Sequence, residues 1–255
     1  MYSLAASIGG GILIAVIIGL LTGLSGDGGL SYGWWGFGVF IGLFLAIVAF
    51  FFISRRITQK LQALFLRANA EIQKQKADRA IELLKEGYRW NRWAFLVKAQ
   101  IDSQIGVILY SLKKFGEAYK YLQNSNPRLY LAYCLLVIGH LKNNRRKEAL
   151  DAMELLMRFN KKEAFVFSLC AYLHEEELDD HEQAIAVVKR GLKTLPKNQL
   201  LNEHLVALQN RNAFKMERYG EVWYQMFLDR KAVSRLQQKM IKDQQRRMKV
   251  SGVVR

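Results

Sequence analysis

The residues with the most chemical potential gather around one turn. His174 and His181 stand seven apart, with Glu175, Glu176, Glu177, Asp179 and Asp180 between them. A zinc hydrolase of the HExxH kind needs two histidines four apart on one helix face, with a glutamate between. This spacing does not supply that, so the histidines read as surface residues. The acidic run reads as a solvated turn or a docking patch for a basic partner. Cys134 and Cys170 lie far apart inside apolar helical patterns and lack CxxC spacing. They read as two buried thiols, not as a disulfide or a zinc site. Gly9-Gly10-Gly11 follows no strand, so it is no phosphate-binding loop. No nucleophile has a base at motif spacing. The sequence therefore predicts no metal, no cofactor and no enzyme.

The elements that carry these residues divide by charge. The chain has 255 residues, 38 Lys and Arg, 22 Asp and Glu, and a formal net charge of +16. From Met1 to Ile53 the single charged side chain is Asp27. All 38 basic residues follow it, against 21 acidic ones, so the remainder carries +17. Leu4 to Leu24 and Trp34 to Ile53 hold no charge and have no polar stripe. Each is long enough, at about 1.5 Å per residue, to cross a hydrocarbon core of about 30 Å. The expectation is two transmembrane helices, about 4–24 and 34–53, forming a hairpin over 1–53. The first segment lacks a basic n-region, which favours a retained anchor over a cleaved signal. Arg55 and Arg56 follow the second segment, while the connecting loop has no Lys or Arg. That asymmetry predicts an integral membrane protein with both termini cytoplasmic; the compact hairpin and the missing basic n-region suit a bacterial inner membrane, with a eukaryotic organelle membrane as the alternative. Gly19 and Gly23, like Gly38 and Gly42, are four apart, a spacing that suits close helix packing and a homo-oligomer.

Beyond Ser54 the apolar spacing is helical. Ile57, Leu61, Leu64, Ala68 and Ile72 recur at steps of three and four, predicting a juxtamembrane helix over 54–76. A longer period then emerges. Lys114-Phe115-Gly116-Glu117-Ala118-Tyr119 precedes Leu122. Arg145-Arg146-Lys147-Glu148-Ala149-Leu150 precedes Met153, and Asp180-His181-Glu182-Gln183-Ala184-Ile185 precedes Val188. The alanines are 31 and 35 residues apart, and a partial copy at Ala80 lies 38 residues before Ala118. Self-similarity near 34 residues marks a helix-turn-helix repeat. Small residues at the alanine position allow close helix approach, and Leu122, Met153 and Val188 fill the space between layers.

Over about Ala77 to Asn212 the chain resembles the tetratricopeptide repeat family. Gly106 lies twelve residues before Ala118, where the family places a small residue, and Ile105 precedes it. Gly191 and Pro196 fall at the family's later small residue and closing proline. Asp102 stands where the family has a tryptophan, and the third copy needs one inserted residue within Glu175-Glu176-Glu177. The resemblance implies an all-α solenoid over 77–212 whose first helices line a groove for a peptide or protein partner. Matching by position gives Gln100, Ser103, Val107 and Tyr110 from the first copy. Cys134 and Lys142 come from the second, and Phe165, Ser168 and Tyr172 from the third.

Residues 213–255 read as a basic C-terminal helix and tail, helical from about Tyr219 to Lys249. From Asp229 to Arg255 nine basic residues face two acidic ones. Arg235, Lys239, Lys242, Arg246 and Arg247, with Arg55, Arg56 and Lys60, are the expected contacts to a membrane surface. The leading expectation is a membrane-anchored scaffold or adaptor that binds a protein or peptide partner. The alternative is nucleic-acid binding driven by the +17 part. In that reading Tyr88, Trp90, Trp93 and Phe95 stack bases among Lys85, Arg89, Arg92 and Lys98.

Overall fold

The architecture is that of a computed structural model, which describes residues 32–91, 97–212 and 215–228. Among the described residues every regular element is helical. The chain forms two compact units, residues 1–108 and 109–255.

In the first unit, α1 (Tyr32–Gln73) is one helix of 42 residues. Its Ile57, Leu61, Leu64 and Ala68 are buried, a stripe at steps of four, three and four. It packs against α2 (Ala77–Glu86), which buries Ala80, Ile81 and Leu84. A 3₁₀ turn (Gly87–Trp90) follows, and then α3 (Val97–Ser111) begins.

The expected membrane hairpin is corrected here. Among the described residues no helix is long and apolar enough to cross a membrane. The expected first span, 4–24, lies outside the described residues. The expected second span is not an element of its own. It is the leading part of α1, which carries straight on into a charged, amphipathic helix. On that finding the expectations of an integral membrane protein and of a bacterial inner-membrane topology have no support among the described residues.

The second unit is solenoid-like. It comprises the end of α3, α4 (Phe115–Leu122), α5 (Tyr130–Lys142), α6 (Arg146–Phe159), α7 (Ala164–Glu176), α8 (His181–Thr194) and α9 (Gln199–Gln209). Each of α4 to α9 packs on the next along the chain, and α7 also meets α5 and α9. This explains two kinds of helix. α5 and α7 have neighbours on several sides and are apolar nearly all round: Ala132 to Ile138 are buried without a break. α6 and α8 bury one stripe, for example Ala149, Ala152, Met153, Leu156 and Met157. Close approach of α7 and α8 depends on Gly191. A Cβ there would stand 2.8 Å from Phe167 Cγ and 2.9 Å from Phe167 Cβ. Loops tie the layers further: Asn160 Nδ2 donates to the Pro127 carbonyl at 2.6 Å.

A backbone feature sets the register of both units. Gln75, Lys113, Asn144, Asp179 and Arg211 have φ of 61°, 61°, 56°, 53° and 51°. Each sits five residues before the alanine position: Ala80, Ala118, Ala149, Ala184 and, in a fifth copy, Met216. In four of the five turns the N–H of the left-handed residue bonds three back and the next N–H five back. Gln75 to Ile72 and Lys76 to Glu71 are one such pair, at 2.8 and 2.9 Å. This is the Schellman closure of a helix, normally made with glycine. At the fourth turn the second bond spans six, from Asp180 N–H to the His174 carbonyl, which absorbs one extra residue. The four alanines have no exposed surface.

Candidate functional site

The expected groove residues separate into three sets. Gln100 and Val107 are half-buried on α3, and Ser103 is buried with its hydroxyl donating to its own helix at the Ala99 carbonyl. Cys134 is enclosed within the helix layers, and Lys142 is exposed with Nζ 5.2 Å from the Phe115 ring centre. Burial pushes the Cys134 thiol well up and the Cys170 thiol up to about 12. Neither thiol offers a thiolate to chemistry. The third set, Tyr110, Phe165, Ser168 and Tyr172, does converge on one thing: the chain's own residues 215–228.

This segment contains a 3₁₀ turn (Met216–Tyr219), Gly220 and a single helical turn, α10 (Glu221–Tyr224). Phe165, Ser168 and Tyr172 present one stripe of α7, at steps of three and four, and the segment lies along it. Tyr219 meets Phe165 edge-on at 5.1 Å, and Trp223 meets Tyr172 edge-on at 4.9 Å. Further on, the Tyr110 hydroxyl donates to the Met226 carbonyl at 2.9 Å, and Phe227 packs on Tyr110 and Phe115. Met216, Trp223 and Met226 are buried. Arg218 pairs with Glu203 of α9, an exposed contact that contributes little to stability.

At the centre of this contact is a buried polar chain. His204 Nδ1 lies 2.9 Å from Ser168 Oγ, and Ser168 Oγ lies 2.7 Å from the Tyr219 hydroxyl. A serine beside a histidine has the form of a nucleophile and its base. Here the serine has no exposed surface, and the tyrosine closes its other side. Desolvation lowers the His204 pKa and raises that of Tyr219, so both stay neutral near pH 7. The arrangement positions the Tyr219 phenol.

The sequence did not single out Tyr219, Trp223, Met226, Phe227 or His204. The long basic helix expected from about Tyr219 is broken in the described residues. Gly220 has φ 63° and ψ −133°, a conformation nearly restricted to glycine, and Phe227 has φ 52°. A signal existed: Met216, Tyr219, Trp223 and Phe227 recur at steps of three, four and four, interrupted by Gly220.

The remaining candidates are placed as follows. Arg55, Arg56 and Lys60 are exposed on α1, whereas Arg235, Lys239, Lys242, Arg246 and Arg247 lie outside the described residues. Gly38 and Gly42 fall within α1, and Gly19 and Gly23 lie outside the described residues. His181 pairs with Glu175 at 2.8 Å, while His174 is buried. Asp180 caps α8 by accepting from Gln183 N–H. Among the described residues no group of three or more His, Cys, Asp or Glu is arranged to hold a metal ion. Of the basic-aromatic set, Tyr88 donates to buried Asp102, and the Arg89 guanidinium lies 4.7 Å from the centre of the Trp90 ring. Arg92, Trp93 and Phe95 lie outside the described residues.

No family model matches the chain, and no curated protein matches it.

Proposed function

We propose that the second unit is a protein-binding scaffold of tetratricopeptide-repeat type, which receives a peptide segment of a partner and catalyses no reaction. One observation carries this reading. The α7 stripe of Phe165, Ser168 and Tyr172, with Tyr110, already holds a peptide segment by aromatic anchors and two addressed hydrogen bonds. A surface built to pack only on another helix would not need a buried hydroxyl aimed at a phenol and another aimed at a main-chain carbonyl. The periodic left-handed turns and the buried alanines support a repeat architecture independently of that contact.

Site-specific photo-crosslinking tests it. A photoreactive phenylalanine at position 172, in the full chain in its native cells, is expected to capture one defined protein. The same probe at exposed Leu155 on α6 is the control. Capture of the same set of proteins from both positions, or of none across growth conditions, overturns the reading.

A further inference from the structure

We propose that residues 216–227 are a tethered occupant of this face. The partner it accepts is then a protein segment of the same chemistry, with tyrosine, tryptophan and phenylalanine at four-residue steps, which binds by displacing them.

The fifth copy of the repeat is the starting point. Four copies place a small, fully buried alanine five residues after the left-handed turn, and a helix follows. The fifth places Met216 there, and among the described residues two short turns follow. Two single turns, of four residues each, cannot hold themselves together in water. The order of the segment is therefore imposed by the face beneath it, as for a bound peptide.

The contact has the character of a recognition site. Its anchors are Tyr219, Trp223 and Phe227, residue types that dominate binding hot spots. Each meets an aromatic partner edge-on or tilted, at 4.9 to 5.9 Å. The polar groups on the face are specific: Ser168 addresses a tyrosine hydroxyl, and Tyr110 addresses a backbone carbonyl. Any segment presenting those groups in that order meets the same complement.

The segment is also held at a conformational cost. Gly220 and Phe227 both occupy positive φ, and for an aromatic residue that region is strained. Strain subtracts from docking and favours exchange. A tether gives the segment an effective concentration in the millimolar range, so a competitor in trans meets a face that is mostly filled. Releasing the segment should unmask the affinity.

The test uses the full chain and a fluorescent peptide of residues 215–228 as probe, read by anisotropy. The release variant carries Trp223→Ala and Phe227→Ala. It is expected to bind the probe at least tenfold more tightly than the wild type, with a scrambled peptide inert. Adding Tyr172→Ala, on the face itself, is expected to weaken binding again by at least fivefold. Equal binding to wild type and release variant, with the helical melting transition intact, overturns the proposal. So does conversion of the release variant to a dimer that takes no probe. Should the double variant lose its melting transition, Gly220→Val is the milder release, since a Cβ there meets nothing within 4 Å. Binding no tighter than wild type in that variant also overturns it. The proposal rests on the scaffold reading but fails separately from it. Probe binding without any crosslinked partner sinks the scaffold reading alone, and a crosslinked partner without probe binding sinks this one.

Discussion

Ala184 and Met216 hold the same place in two successive copies, and the chain behaves differently after each. Both lie five residues beyond a left-handed residue, Asp179 or Arg211. After the first, α8 runs for 14 residues against α7. After the second, the helix yields to a 3₁₀ turn and Gly220. The alanine position sets how near a second helix can approach the first. A methyl group permits ordinary close packing, and a thioether chain does not. The lesson is that one repeat register produces two products: a packed helix where the residue is small, and a segment laid over the neighbouring face where it is large.

The strongest way to test the contrast is to remove core from each product. Leu156→Ala, in fully buried surroundings on α6, is expected to cost about 2–5 kcal/mol of global stability, measured by denaturant unfolding. Trp223→Ala removes an equally buried and larger side chain, yet should lower the global transition by less. Its signature should be faster amide exchange confined to residues 216–226, with α7 still protected. Equal global losses from the two would merge the segment with the core and dissolve the contrast.

Ala184→Met converts the regular copy into the irregular one. Overpacking should cost about 1–3 kcal/mol, with exchange rising along α8. Gly220→Ala should cost about 1–2 kcal/mol through backbone conformation alone, because space for the methyl exists. That cost should be felt only as release of the segment.

Acid should act on the packed layers and the segment together. Burial lowers the folded pKa of His140, His174 and His204 below the ordinary 6.5. As pH falls through about 6.5 the unfolded chain takes up protons that the folded chain refuses. Stability is therefore whole above that pH and declines between 6.5 and the lower folded values. The denaturant midpoint should be lower at about pH 5.5 than at about pH 7.5, and His204→Gln should reduce the difference. The smallest effect is a gain. Gln75→Gly relieves a left-handed side chain at about 1–2 kcal/mol, partly offset by the freer unfolded chain, for a net rise of about 0.5 kcal/mol.

Particular residues show how far the sequence could be read. Ala118, Ala149 and Ala184, with Leu122, Met153 and Val188 four residues on, were legible because a helix-packing stripe repeats in one dimension. All six are buried. The five left-handed turns were not legible, since none carries the glycine that announces such a turn. The second apolar stretch, Trp34 to Ile53, was read as a span; the helix that holds it continues to Gln73 and becomes a charged, one-sided packing element. Of the expected groove, Tyr110, Phe165, Ser168 and Tyr172 all contact residues 219–226 of the chain itself. Cys134 turned inward, because α5 has neighbours on several sides.

Local pattern alone determined that the described residues beyond Ser54 are helical, that apolar residues recur with a helix-pair period, and that the thiols are buried. Those properties depend on neighbours three to five residues away and on a repeat that restates itself. Only the tertiary structure decided what lies on α7. Tyr219 reaches Ser168 across 51 residues, and the Met226 carbonyl reaches Tyr110 across 116. The steps from Met216 to Tyr219, Trp223 and Phe227 mark an apolar face, but local spacing does not say what that face packs on. Those contacts depend instead on where one oversized side chain, at the place of an alanine, turns the backbone aside.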